Sequence, residues 1–277
     1  MKTSSKITLA LLAVTVMLSV SCKKNETTTT GSKTFTAAQA KQVAMGLYSS
    51  LGSGVGASGN GLKTNSGTLK TMDDQHPCGS VMTTPTNQTS TSNGVTTTYI
   101  GTRVFTYLCN GYYNNNWNVD AYNIKDTTTK TETGAGFKNY YTVGLTYDVK
   151  ATDANYTQLS VLGLTNTVVY SSKVDGNNNT TEWHKYSTAY NWNEGVTAIR
   201  YPDNSQVPSY TSGKVKFVMT IVDVVGDNNP GQTPTNVFTG FITFIPDNKG
   251  TLSIYTGNGS ETKDFSVNFL TGEVKAL

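Results

Sequence analysis

The chain has 277 residues, and its 21 Lys and Arg against 18 Asp and Glu leave a net charge of +3, with 14% of residues charged. That near-balance offers no basic surface for nucleic acid. The length allows one large core or two small ones, and the dominance of Thr, Asn, Gly, Ser and Tyr suits extracytoplasmic β structure with polar, uncharged outer faces.

Residues 1–21 open with Lys2 and Lys6, run through an apolar stretch from Ile7 to Leu18, and end in small residues before Cys22. This is the three-part layout of a secretory signal, and its apolar run is too short for a permanent membrane span. The last residues, Leu18-Ser19-Val20-Ser21-Cys22, resemble the lipobox of bacterial lipoproteins, with Ser19 where Leu is commonest. The resemblance implies cleavage before Cys22 and diacylglycerol on its sulfur. The alternative is ordinary secretion with cleavage nearby. Each buried acyl methylene contributes ~0.8 kcal/mol, so such an anchor would hold the protein on a membrane permanently. Lys23, where Asp would signal inner-membrane retention, favours the outer membrane. Cys22-Lys23-Lys24 with Glu26 resembles exported lipoproteins of the Bacteroidota, some of them surface-facing, although the acidic pair of their export signal is incomplete. Loss of Lys2 and Lys6 leaves 19 basic against 18 acidic residues in the mature chain. Residues 22–33 read as a flexible tether, because a polar, Thr-rich stretch has nothing apolar to bury.

From residue 34 onward we expect one β-rich domain, 34–277, opened by a helix. Thr36-Ala37-Ala38-Gln39 fits a capping box, and Ala40, Val43, Ala44, Leu47 and Leu51 follow at helical spacing, so the helix should cover about 37–51 and end at Gly52. Its simplest role is a lid over a sheet edge or mouth; a partner-binding helix is the alternative. Residues 52–67 read as Gly/Ser/Asn-rich loop. From about Val81 the period becomes two, as in Thr102-Val104-Thr106-Leu108 and Val215-Phe217-Met219-Ile221. Further strands are expected at 117–129, 140–151, 158–174, 182–192, 196–201, 238–245, 252–255 and 265–269. Turn signals separate them at Asp175-Gly176-Asn177, Asp227 to Gly231, Asp247 to Gly250 and Gly257-Asn258-Gly259. Short turns and the lack of helical crossovers predict a mainly β, antiparallel meander: a curved open sheet, half-barrel or barrel, with a β-sandwich as the alternative.

Cys78 and Cys109 remain once Cys22 is lipidated, and in an oxidising envelope they are expected to form a disulfide; two separately buried thiols are the other possibility. Its loop would add ~3.5 kcal/mol in the chain-entropy model. His76 and His184 lie in no catalytic or zinc motif. Asp73, Asp74, His76 and Cys78 gather four potential ligands in six residues, but a mononuclear site needs side chains that converge tetrahedrally and Cys78 is better explained by a disulfide, so no metal and no cofactor is expected. No nucleophile elbow, phosphate loop or dinucleotide fingerprint occurs, which weighs against an enzyme without excluding a hydrolase of dispersed residues. Asp126-Thr127-Thr128 resembles a short O-glycosylation motif of exported Bacteroidota proteins, with Thr127 the acceptor; an ordinary strand end explains it as well.

The segment Glu182 to Trp192 carries the strongest surface candidate. In a regular strand His184, Tyr186, Thr188, Tyr190 and Trp192 share one face, while Trp183, Lys185, Ser187, Ala189 and Asn191 share the other. Exposed, Tyr186, Tyr190 and Trp192 would stack a carbohydrate or apolar ligand; buried, they would be core. The leading expectation is a non-catalytic envelope lipoprotein that binds such a ligand on a concave or aromatic sheet face. A structural or interaction lipoprotein with a fully packed sheet and unspecified protein partners is the rival, and a hydrolase comes third.

Overall fold

The computed structural model describes residues 34–55, 79–108, 121–153, 157–177, 179–199, 209–225, 235–256 and 261–277. Cys22, His76, Cys78 and Cys109, the signal and tether segments, and the turns at Asp227 to Gly231 and at Gly257-Asn258-Gly259 lie outside these residues.

One helix, α1 (Ala37–Val55), precedes twelve strands. They are β1 (Val81–Ser92), β2 (Val95–Leu108), β3 (Ala121–Gly134), β4 (Phe137–Ala151), β5 (Gln158–Val174), β6 (Thr180–Asn191), β7 (Val196–Ile199), β8 (Ser209–Val225), β9 (Thr235–Ile245), β10 (Lys249–Thr256), β11 (Glu261–Asn268) and β12 (Glu273–Ala276). All belong to a single antiparallel sheet in which sequence neighbours pair, running β1-β2-β3-β4-β5-β6-β8-β9-β10-β11-β12. Short β7 bonds to β5 and β8 beyond the end of β6, so the two share one position in the order. The expected meander is therefore present. It is open among the described residues, with β1 and β12 as its edges.

The turns follow from their residues. Asn93-Gly94 and Asp247-Asn248 adopt positive φ and close tight hairpins. At Asp175 the carboxylate accepts the Asn177 and Asn179 N–H groups, which holds it below the usual carboxylate range.

The helix begins as its capping box dictates: the Gln39 side chain accepts from the Thr36 N–H at 2.8 Å, and Thr36 Oγ1 accepts from the Gln39 N–H at 3.3 Å. Gly52 does not end it. The helix continues to Val55, because glycine lowers helix propensity by only about 1 kcal/mol and does not stop a helix. Its place also differs from the expected lid. Ala40, Val43, Ala44, Leu47 and Leu51 are fully buried, and α1 lies against β4 and β5 as well as β11 and β12, strands far apart in the sheet order. A sheet that meets one helix at such distant strands has curled around it.

The core is the concave face and the helix together. Tyr122, Ile124, Leu145, Tyr147, Val149, Val161, Phe217, Ile242 and Phe265 all turn inward. The helix approaches the sheet closely at Gly46, where an added Cβ would stand 2.9 Å from the Tyr190 hydroxyl. That phenol donates to the Val43 carbonyl at 2.8 Å. At the other end, Phe35 packs its ring on Phe238 (4.9 Å) and its carbonyl accepts from the Lys263 ammonium.

Candidate functional site

Strand β6 carries the candidate ladder, and the helix settles which of its faces is inward. Tyr190 is 2% exposed and Trp192 is fully buried, with the Trp192 and Tyr147 rings 4.3 Å apart. Burial raises the Tyr190 and Tyr147 phenols well above their ordinary range, as expected of hydroxyls in a dry core. Tyr186 is half-buried and packs against the same core. A stacking platform at Tyr186, Tyr190 and Trp192 is therefore not what this face provides. Alternation specified which residues act together, and the docked helix made them core.

The same strand's other face looks away from the helix. There Trp183 joins Tyr170 of β5 and Tyr140 of β4. The Tyr140 and Tyr170 rings stack at 4.6 Å and 8°, and those of Tyr170 and Trp183 at 5.8 Å and 25°. Tyr140, Tyr170 and Lys185 are direct cross-strand partners, so the strip crosses three strands. All four side chains are half-buried. Sequence periodicity identified Trp183 and Lys185 as face-mates but could not bring in Tyr140 and Tyr170, which join them only through register. The three rings are stacked face to face in a row and each keeps part of its surface in solvent.

At the upper end of the concave face the inward residues become polar and charged. Arg103 Nε donates to Asp126 Oδ2 at 2.6 Å, and the Thr128 hydroxyl donates to Asp126 Oδ1 at 2.6 Å. Two residues along β3, buried Lys130 is ion-paired with Glu132, and its ammonium lies 5.9 Å from the Tyr99 ring centroid. On β6, Glu182 accepts from Lys173 and meets His184 Nε2 at 3.0 Å; both partners hold its carboxyl below the usual range. Each of these charges already has an opposite partner. Among the described residues, no three His, Cys, Asp or Glu side chains converge as metal ligands would.

Thr127 lies exposed in the middle of β3. Alternation turns it to the helix-free side, while its motif neighbours Asp126 and Thr128 are bonded to each other on the inner side. An open groove of about 400 Å³ lies farther along the outer face, lined by Thr146, Asp148, Leu162, Gly163, Leu164 and Asn193. It holds no concentration of polar groups able to fix a ligand.

Comparison with protein-family models, curated proteins and solved structures finds no match, so the functional reading rests on this chain's own residues.

Proposed function

We propose that the chain is a non-catalytic, outer-membrane lipoprotein, anchored through Cys22, that binds a neutral carbohydrate or an apolar ligand on the outer face of its sheet at Tyr140, Tyr170 and Trp183. One observation carries this reading. The concave face is filled by α1, whereas three aromatic rings occupy the opposite, helix-free face, where polar residues are the norm. Ring edges and hydroxyl tips can meet sugar hydroxyls, and the open face of an end ring can take a pyranose or an acyl chain.

The test is calorimetric titration of the purified protein with neutral oligosaccharides and with a short-chain detergent below its micelle concentration. Trp183→Ala and Tyr170→Ala should weaken binding of whichever probe binds by at least ~10-fold, since loss of a stacked ring removes on the order of 1–3 kcal/mol of contact. Binding that ignores both substitutions, or no binding at all, would discard the reading. It would leave the structural or interaction lipoprotein, which the mutual stacking of the rings favours: such a ladder also stabilises adjoining strands by about 0.2–1 kcal/mol per pair.

Lipidation at Cys22 and a Cys78–Cys109 disulfide belong to the same proposal. Support for the bridge comes from the residues beside the two cysteines. Gly79, at φ 79°, donates its N–H to the Tyr107 carbonyl at 2.6 Å, and Tyr107 donates to Ser80 at 2.9 Å. This is a glycine bulge that joins the start of β1 to the end of β2. Non-reducing peptide mapping of protein from membranes is expected to find an acylated Cys22 at the N-terminus and one linked pair. Free Cys78 and Cys109 would remove the bridge, and an unmodified N-terminus elsewhere would remove the anchor. Glycosylation of Thr127 would register as added hexose mass on its peptide in the same measurement.

A further inference from the structure

The two edges of the sheet are built differently. The β12 edge is four residues long and carries an exposed Glu273–Lys275 pair, with Lys263 and Asp264 on the adjoining part of β11. Short length and charge are the usual protections of an open edge. Strand β1 has twelve residues, VMTTPTNQTSTS, with no charged side chain, and nearly all of it is exposed. Its neighbour β2 has none either before Arg103. The protection of β1 is confined to its beginning: the Gly79 bulge just before it and Pro85 in its first half.

Register shows which backbone groups are open. The two-residue turn Asn93-Gly94 makes Ser92 and Val95 a hydrogen-bonded pair, and such pairs alternate along an antiparallel ladder. Ser90, Gln88, Thr86, Thr84 and Met82 therefore bond to β2. Asn87, Thr89 and Thr91 direct their N–H and C=O groups away from the sheet, and Pro85 occupies the same outward series, where its missing N–H costs the fold nothing.

From this we infer that residues 87–91 of β1 pair antiparallel with the same segment of a second copy, with the two-fold axis at Thr89. In that register Thr89 faces Thr89 of the partner subunit and Asn87 faces Thr91 of the partner subunit, giving about six backbone hydrogen bonds. Centring on Asn87 would waste a bond on Pro85, and centring on Thr91 would run into the turn. Charge favours the chain's own copy: a strand with no charged side chain meets its like without repulsion, and symmetry matches the two edges without further shaping. Side chains favour it as well. The outer-face rows Thr89–Thr98 and Thr91–Thr96 already join hydroxyls at 3.2 and 3.1 Å, and both rows end at the open edge, where the partner's threonines extend them. The contact is polar and small, so the dimer is reversible.

Sedimentation velocity of the purified protein over a range of concentrations tests this, together with amide exchange read residue by residue. The expected result is a concentration-dependent dimer in which the amides of Asn87, Thr89 and Thr91 exchange at least ~10-fold more slowly than in dilute monomer. Thr89→Lys sets two like charges on the axis and should raise the dissociation constant at least ~10-fold while leaving β1–β2 pairing intact. Thr89→Pro should do the same through a position whose N–H is not used within the chain. Pro85→Thr lies outside the paired segment, facing the partner subunit's Asn93 in its turn, and should leave the dissociation constant unchanged, which separates loss of the 87–91 contact from a general change in β1. A protein that stays monomeric with these amides unprotected overturns the inference, as does a dimer indifferent to Thr89→Lys.

Discussion

Trp192→Ala is expected to lower the free energy of unfolding by ~3–5 kcal/mol, the range for truncating a large aromatic side chain in a packed core. The indole is fully buried, with Tyr147 against it, in the region where Tyr147 also bonds Thr165 at 2.9 Å. Alanine would leave a cavity that strands held in a twelve-member ladder cannot close. Trp192→Phe should cost clearly less. Phenylalanine keeps much of the apolar contact, and Trp192 Nε1 is buried with no hydrogen-bond partner among the described residues, so losing that donor relieves a desolvation penalty. Denaturant unfolding of the three proteins checks the order, and in thermal unfolding a midpoint lowered by roughly 10 °C is expected for alanine in a fold of this size. Near-native stability in Trp192→Ala would mean that the indole is not a core anchor and would return it to the surface-ligand reading.

What the amino-acid pattern could disclose, and where it stopped, is clearest on particular elements. Strand β5 is found at Gln158–Val174 as expected, because a run rich in Val, Leu, Thr and Tyr continues up to Asp175, whose carboxylate organises the turn. The capping box placed the start of α1 correctly, since Thr36 and Gln39 satisfy each other's backbone locally. The helix runs past Gly52 because packing against the sheet outweighs the modest penalty of that glycine. Strand β1 was hard to see: it is polar on both faces and contains Pro85, so no apolar stripe marks it, and only its pairing with β2 makes it a strand. Strand β12 is too short for a period to register. The aromatic ladder of β6 was legible as a face but not as an inward one, for inwardness depends on where α1 docks. The Tyr140–Tyr170–Trp183 strip lies on three strands, and only the register of two hairpins brings those positions together.

Asp126→Ala is expected to cost about 3 kcal/mol, the lower end of the 3–5 kcal/mol range for breaking a buried ion pair, because Arg103 is 26% exposed and can recover some solvation. The carboxylate itself is 3% exposed and accepts from both Arg103 and Thr128, so its removal leaves two donors without their acceptor in a region of little water. Replacing both partners, Arg103→Met with Asp126→Leu, should recover most of the loss, since an apolar pair of similar size needs no desolvation. A double-mutant cycle by denaturant unfolding measures the coupling. The pair also bears on pairing specificity. Strands β2 and β3 carry the runs Thr96-Thr97-Thr98 and Thr127-Thr128-Thr129, and a slip of two residues would keep every side chain on its own face while exchanging threonine for threonine only at outer-face positions. Only residues unlike their neighbours can oppose such a slip. On the inner face these include Tyr99 opposite Lys130, Arg103 opposite Asp126, Phe105 opposite Ile124 and Tyr107 opposite Tyr122. The apolar double variant should therefore be stable yet less single-minded, showing additional amide resonances for residues 96–104 in slow exchange. One set of resonances in that variant would mean that the remaining inner-face pairs hold the register unaided and that the ion pair contributes stability alone.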